Sequence, residues 1–199
     1  MVSSFRWRLA WSLAVIAPFL LAQHRLAAQQ GAVELGIDSE MAYHIIKGDG
    51  NDVFEMSLPF ATSELPRAHN GFRVGYFASD RVSIEPSLGF SYVNPQRTGY
   101  SWNLGLATAI HYHLVADPRR VRPYLGAGVN MTVFHDYPGA GTGVTTSQFG
   151  VSAEFGFKIP IQDRLGIRLA GGVGQFFRSA DYESRTSIIG ILGFSYFTK

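Results

Sequence analysis

The stretch RVSIEPSLGFSY, running from Arg81 to Tyr92, changes character at every step. Val82, Ile84, Pro86, Leu88, Phe90 and Tyr92 fall on one side of an extended chain, and Ser83, Glu85, Ser87, Gly89 and Ser91 on the other, because successive β side chains point to opposite faces. Which side meets water decides the fold. A soluble barrel keeps its apolar side within and needs a solvated outer face. Here the side opposite the apolar stripe carries small residues and a single carboxylate.

The same alternation recurs along the chain. In 100–114 the even positions hold Tyr100, Trp102, Leu104, Leu106, Ile110, Tyr112 and Leu114, against Ser101, Asn103, Gly105, Ala107, Ala109, His111 and His113. From Val121, the stripe Val121, Pro123, Leu125, Val129, Met131 and Val133 opposes Arg122, Tyr124, Gly126, Gly128, Asn130 and Thr132. Phe149, Val151, Phe155, Phe157 and Ile159 oppose Gly150, Ser152, Glu154, Gly156 and Lys158. Leu165, Ile167, Leu169, Val173 and Phe177 oppose Gly166, Arg168, Ala170, Gly172 and Gly174. Near the start, Val33, Leu35, Ile37, Met41, Tyr43 and Ile45 oppose Glu34, Gly36, Asp38, Glu40 and His44. Soluble strands run about 5–6 residues, whereas a tilted strand crossing a bilayer needs about 9–11. These segments match the second length.

Connections alternate as well. ASDR (78–81), ADPRR (116–120) and IQDR (161–164) are tight and rich in turn formers, while 47–52, 94–99, 135–147 and 179–185 are longer. Short turns at one end and longer loops at the other describe an up-and-down barrel in an outer membrane. Strands are expected at 33–46, one within 53–78, then 82–94, 100–115, 121–134, 147–160, 165–178 and 186–197. Residues 53–78 are too many for one crossing. Because single-chain bacterial barrels have even strand counts, the reading places one membrane strand near 70–78, with 53–60 as its broken upper part or a loop hairpin. The fold expected is all-β, an eight-stranded antiparallel up-and-down transmembrane β-barrel. Pro86 and Pro123 each remove a ladder donor and mark bulges or ends of regular pairing.

The bulky apolar side chains then face lipid, because an eight-stranded lumen is only wide enough for side chains to fill. Small residues suit that lumen. Arg73, Glu85, Arg122, Glu154, Lys158 and Arg168 are expected to pair across it, with His111 and His113 beside them. Aromatic residues collect at both ends: Tyr43, Tyr92, Tyr100, Trp102, Phe149 and Phe177 toward the longer loops, and Tyr76, Tyr112, Phe157, Tyr196 and Phe197 toward the short turns. Two girdles at the headgroup levels are expected of such a barrel.

Composition narrows the function. The chain has 199 residues and no cysteine, which excludes disulfides, thiolate metal sites and a cysteine nucleophile. Of 17 Lys and Arg, three (Arg6, Arg8, Arg25) lie in the first 28 residues, which hold no acid, so the remainder carries 14 basic and 15 acidic side chains. That balance removes the electrostatic case for nucleic-acid binding. The first segment has a positive start, an apolar run from Leu9 to Ala22 and small residues at Ala27 and Ala28, the pattern of a secretory signal. Residues 1–28 are therefore expected to be a signal peptide, and 29–199 the barrel domain of an exported protein.

With FRVGYFASDRVSIEPSLGFSY (72–92), RPYLGAGV (122–129) and the ending GILGFSYF (190–197) in view, the chain resembles the small outer-membrane β-barrel proteins of OmpA/OmpX type. The resemblance implies contact with outer-membrane lipids, passage by periplasmic chaperones, and a C-terminal strand read by the barrel assembly machinery, here Leu192, Phe194 and Tyr196 with Phe197. Thr198 and Lys199 follow that last aromatic, a departure from the family's ending. It also implies a monomer whose role is structural or interactional, without cofactor. Some relatives modify lipid A, which requires catalytic groups at the lipid face or in the loops. His135, Asp136 and Ser147 supply such groups only generically, and Ser39 is the one lipid-face serine of a regular strand, with no histidine placed beside it. His111 and His113 share a face and would bind metal only with a third ligand such as Glu85 or Glu154. The segment GAGTG (139–143) lacks the Lys-Ser/Thr and helix of a phosphate loop. An adhesin-like binding barrel and a small pore complete the alternatives.

Overall fold

The computed structural model describes residues 31–47, 52–57, 71–93, 99–137, 143–179 and 182–198. The expected signal peptide (1–28), the insert 58–70 and the tips of the longer loops lie outside the described residues. Nine strand segments follow one another: β1 (Val33–Ile46), β2 (Val53–Ser57), β3 (Gly71–Ser79), β4 (Val82–Val93), β5 (Tyr100–His113), β6 (Arg122–Tyr137), β7 (Val144–Gln162), β8 (Leu165–Phe176) and β9 (Arg185–Phe197). All pairings are antiparallel: from β3 to β9 each strand pairs with the next, β1 pairs with both β2 and β3, and β9 closes back onto β1 from Glu34↔Phe197 to Ile46↔Arg185. Closure satisfies the backbone groups that lipid cannot.

Nine segments make eight staves. β3 takes the lower half of β1, from Val33↔Tyr76 to Asp38↔Gly71, and β2 takes the upper half, from Glu40↔Ser57 to His44↔Val53. Residues 53–57 are thus the upper part of the second stave. Gly71 opens β3 at φ 139°, where an added Cβ would stand 2.2 Å from the Leu88 carbonyl oxygen. Only glycine fits there.

Proline acts differently at its two sites. The β3–β4 ladder is bridged at Phe72↔Leu88, Arg73↔Ser87 and Tyr76↔Ile84, so rungs beside Pro86 are missing while the register is kept. Pro123 lies at the lower end of the β5–β6 ladder, its carbonyl accepting from Leu114 at 2.8 Å. The register shifts fall elsewhere, at Phe77/Ser79 and at Pro160/Gln162. β6 and β7 reach 16 and 19 residues, β6 ending and β7 beginning closer to their shared loop than the sequence pattern suggested. Crossing takes about 9–11 residues, so the upper β6–β7 hairpin projects beyond the bilayer.

Burial is inverted relative to a soluble protein. Leu35, Met41, Leu88, Ile110, Leu125, Val173 and Phe194 are exposed, whereas Glu34, Arg73, Glu85, Gln148 and Arg168 are buried. The Tyr43, Tyr92, Tyr100, Tyr76, Tyr112 and Tyr196 rings point outward at the two rims. Phe197 departs from the expected lower girdle. It shares parity with Ser195, faces the lumen at 3% exposure, and packs on Phe77 with ring centroids 6.4 Å apart.

Candidate functional site: the charged lumen

The lumen has three levels. At the short-turn end Phe77, Phe197 and Tyr124 fill the bore. Arg122 and Lys158 place their cationic ends 5.0 and 5.1 Å from the Phe77 ring centroid. Arg122 belongs to this floor. Its guanidinium donates to the carbonyls of Asp80 at 2.5 Å and Val115 at 3.2 Å, so it serves the backbone of the turns where an ion pair across the lumen was expected. Its position at the first residue of β6 puts it below the carboxylates.

Above the floor lies an ion cluster. Arg73 Nη1 donates to Glu34 at 2.5 Å and Glu85 at 3.1 Å, and Arg73 Nε to Asp38 at 2.9 Å. Lys158 bridges Glu34 at 2.5 Å and Glu85. Arg168 donates to Asp38 at 2.9 Å, Glu154 at 2.6 Å and, through Nε, the Tyr124 hydroxyl at 2.7 Å. The Ser195 hydroxyl donates to Glu34 at 2.6 Å and accepts from Arg73 at 2.9 Å. These groups come from β1, β3, β4, β6, β7, β8 and β9, so the cluster ties the wall across its width.

His111 completes it. Nδ1 lies 3.0 Å from a Glu85 oxygen and Nε2 2.5 Å from a Glu154 oxygen. A neutral imidazole carries one N–H, and only the imidazolium presents a proton at both nitrogens. Four carboxylates (Glu34, Asp38, Glu85, Glu154) face three permanent cations (Arg73, Lys158, Arg168). A charged His111 brings the cluster to neutrality. His113 stands apart, its Nε2 3.0 Å from the Ser83 hydroxyl, which itself donates to Glu85 at 2.8 Å. The two histidines therefore serve different partners. Among the described residues no group of three His, Asp or Glu side chains could hold a metal ion.

Glycine makes room for these side chains. A Cβ on Gly193 would lie 1.9 Å from Asp38 Oδ1, one on Gly36 2.4 Å from an Arg73 nitrogen, and one on Gly126 2.4 Å from the His111 ring. The small face read from the sequence is the seat of the charges. Glu34, Asp38 and Ser195 were on that face by parity, yet parity alone gave no reason to join them to the cluster. Above it the lumen stays polar, with Glu40, His44 and Arg185 buried alongside Asn103, Asn130, Thr132, Gln148 and Ser187.

The candidate catalytic groups do not assemble. His135 Nδ1 is 2.8 Å from the Thr145 hydroxyl oxygen, and its ring stacks on Trp102 at 5.5 Å. Asp136 follows it on the strand and so points to the opposite face. Ser147 pairs with Val133, two rungs below the His135↔Thr145 pair. Ser39 pairs with Leu192, and His44 turns inward to Ser187 at 2.7 Å.

A closed eight-stave barrel with an apolar outside and an ionic inside fits one environment, and sequence comparison names the family. The family model of the outer membrane protein beta-barrel domain matches residues 13–192. The chain belongs to that family. A curated relative, the uncharacterized outer-membrane protein y4mB of Sinorhizobium fredii, is 24% identical over 155 residues, covering 73% of this chain and 65% of its own length. The chain thus spans slightly less than two thirds of that relative. Among solved structures, Neisserial surface protein A aligns with TM-score 0.57 at 14% identity over 83% of this chain and 98% of its own. Ail, the attachment invasion locus protein of Yersinia pestis, solved with the heparin analogue sucrose octasulfate, aligns with TM-score 0.55 at 10% identity over 85% and 99%. Both likenesses are of fold. The protein is an integral outer-membrane β-barrel.

Proposed function

We propose that this family member is a sealed, non-catalytic barrel whose role is structural or is carried by its extracellular loops. The observation behind this reading is the ion cluster at the waist, where Arg73, Glu85, His111, Glu154, Lys158 and Arg168 meet across the bore above the Phe77–Phe197 floor. Side chains fill an eight-stranded lumen, and the cluster is held by mutual contacts, so ions have no continuous path. Planar-bilayer recording of the purified protein tests it. Background current is expected, and discrete steps of a water-filled pore would refute the seal. Incubation with lipid A followed by mass spectrometry is expected to leave the lipid unchanged, and loss or gain of an acyl chain would make the barrel an enzyme.

The route to the membrane belongs to the same proposal. Residues 1–28 direct export and are removed, periplasmic chaperones carry the unfolded chain, and the assembly machinery reads the outward edge of the last strand. Leu192, Phe194 and Tyr196 present that edge, while Phe197 seals the floor. The barrel works as a monomer. N-terminal sequencing of the outer-membrane form should begin at Gln29, and recovery of an uncut chain in the inner membrane would overturn the export reading.

A further inference from the structure

The periplasmic rim carries a feature the seal does not use. At the β7–β8 turn the register shifts between Pro160 and Gln162, leaving Ile161 as the extra residue of a bulge. Bulges re-aim side chains, and Ile161 turns into a groove of about 410 Å³ on the barrel's exterior. Leu35, Ile37, Phe72, Leu165 and Phe194 form its apolar walls, and the chain at Gly36, Gly166 and Ser195 its floor. The groove shares Ile161, Leu165 and Tyr196 with a second pocket of about 650 Å³ at the rim, which adds Gln162, Asp163 and Arg164. An apolar trough therefore runs into a polar head at the level where strands end.

That head is held in place. Arg164 Nη1 donates to the Tyr196 hydroxyl at 3.2 Å, and the Arg164 carbonyl accepts from Phe197 N at 2.9 Å, fixing the turn to the closing strand. The guanidinium is charged at any physiological pH. Asp163 precedes it in the same turn and is exposed. A fixed cation with a phenolic hydroxyl, next to an anion, complements a zwitterion whose phosphate and ammonium are close neighbours. Arg81 Nη1 makes a similar contact to the Tyr112 hydroxyl at 3.3 Å at the neighbouring short turn, which provides an internal comparison.

We propose that the β7–β8 turn and the adjoining exterior groove form a binding site for one zwitterionic aminophospholipid of the periplasmic leaflet. Its acyl chain lies along Leu35, Phe72 and Phe194, its phosphate meets Arg164 and Tyr196, and its ammonium meets Asp163. The full mature chain, embedded in nanodiscs of mixed phosphatidylethanolamine, phosphatidylglycerol and phosphatidylcholine, would be released for native mass spectrometry and its retained lipid identified. Phosphatidylethanolamine is expected to be retained over both others, and Arg164→Gln to reduce that retention about three- to tenfold, the range for one charge-assisted contact. Arg81→Gln should leave it unchanged. Asp163→Asn should move the preference toward phosphatidylglycerol. Equal retention of the three lipids, an unaltered Arg164→Gln, or equal losses in the two arginine variants would overturn the site. Unchanged preference in Asp163→Asn would overturn the ammonium contact. All substitutions are in exposed turns, and heat-modifiable gel migration verifies that each variant is folded.

Discussion

Replacing Arg73 by methionine removes the most connected cation of the waist with little change in volume. Arg73 is 2% exposed and contacts Glu34, Asp38 and Glu85, together with Ser195. Each carboxylate keeps a further cation: Lys158 for Glu34, Lys158 and His111 for Glu85, Arg168 for Asp38. The cluster nonetheless acquires one uncompensated negative charge in a dry interior. Removing one partner of a buried pair costs about 3–5 kcal/mol, and the remaining cations place this variant toward the lower figure. By contrast, Arg120 and Asp117 form an exposed pair, with side chains 70% and 45% accessible, and Arg120→Met should cost under about 1 kcal/mol. Urea unfolding in lipid vesicles, followed by tryptophan fluorescence and gel migration, reads the difference. With a slope of about 2 kcal/mol per molar, the Arg73→Met midpoint should fall by about 1.5 M or more. Adding Glu34→Gln restores charge balance and should recover more than half of the loss. A midpoint equal to wild type, or a double variant no better than the single, would refute the reasoning that a charge-balanced cluster holds the wall.

Four further outcomes follow from the same geometry. At neutral pH, nitrogen-15 shifts of His111 should show both ring nitrogens protonated; a single neutral tautomer would break the charge count. Gly193→Val sets a branched side chain against the Asp38 carboxylate, whose Oδ1 would stand 1.9 Å from the new Cβ, and overpacking of this kind should destabilise by about 1–3 kcal/mol in the same unfolding assay. Leu192, exposed and opposite Ser39 at mid-strand, faces acyl chains, so Leu192→Arg should cost about 2–4 kcal/mol in vesicles; a neutral effect would contradict the outward orientation. Phe197→Ala empties the floor beside Phe77 and should destabilise by about 3–5 kcal/mol, with Tyr196 still available at the rim; an unchanged midpoint would place Phe197 outside the packed interior.

The sequence by itself determined the faces. Period two separates Leu88 from Glu85 and Leu125 from Arg122, and the small residues opposite the bulky stripe left only one orientation compatible with a narrow barrel. Strand lengths and alternating connections then yielded the eight staves. Height along the bore was beyond reach of that pattern. Parity says that Arg122 points inward, but only the pairing register shows it at the turn carbonyls, below the acids. Glu34 and Lys158 meet across 124 positions of chain, a contact created when β9 closes on β1 and the strands take their stagger. Phe197 lies on the other side of that line: with its neighbour Tyr196 outward, parity alone turns its ring inward, and only the ring it packs on, Phe77, is set by the tertiary structure. Tertiary structure decided these partners because side-chain direction is a local property of each strand, whereas depth is set jointly by every ladder around the closed sheet.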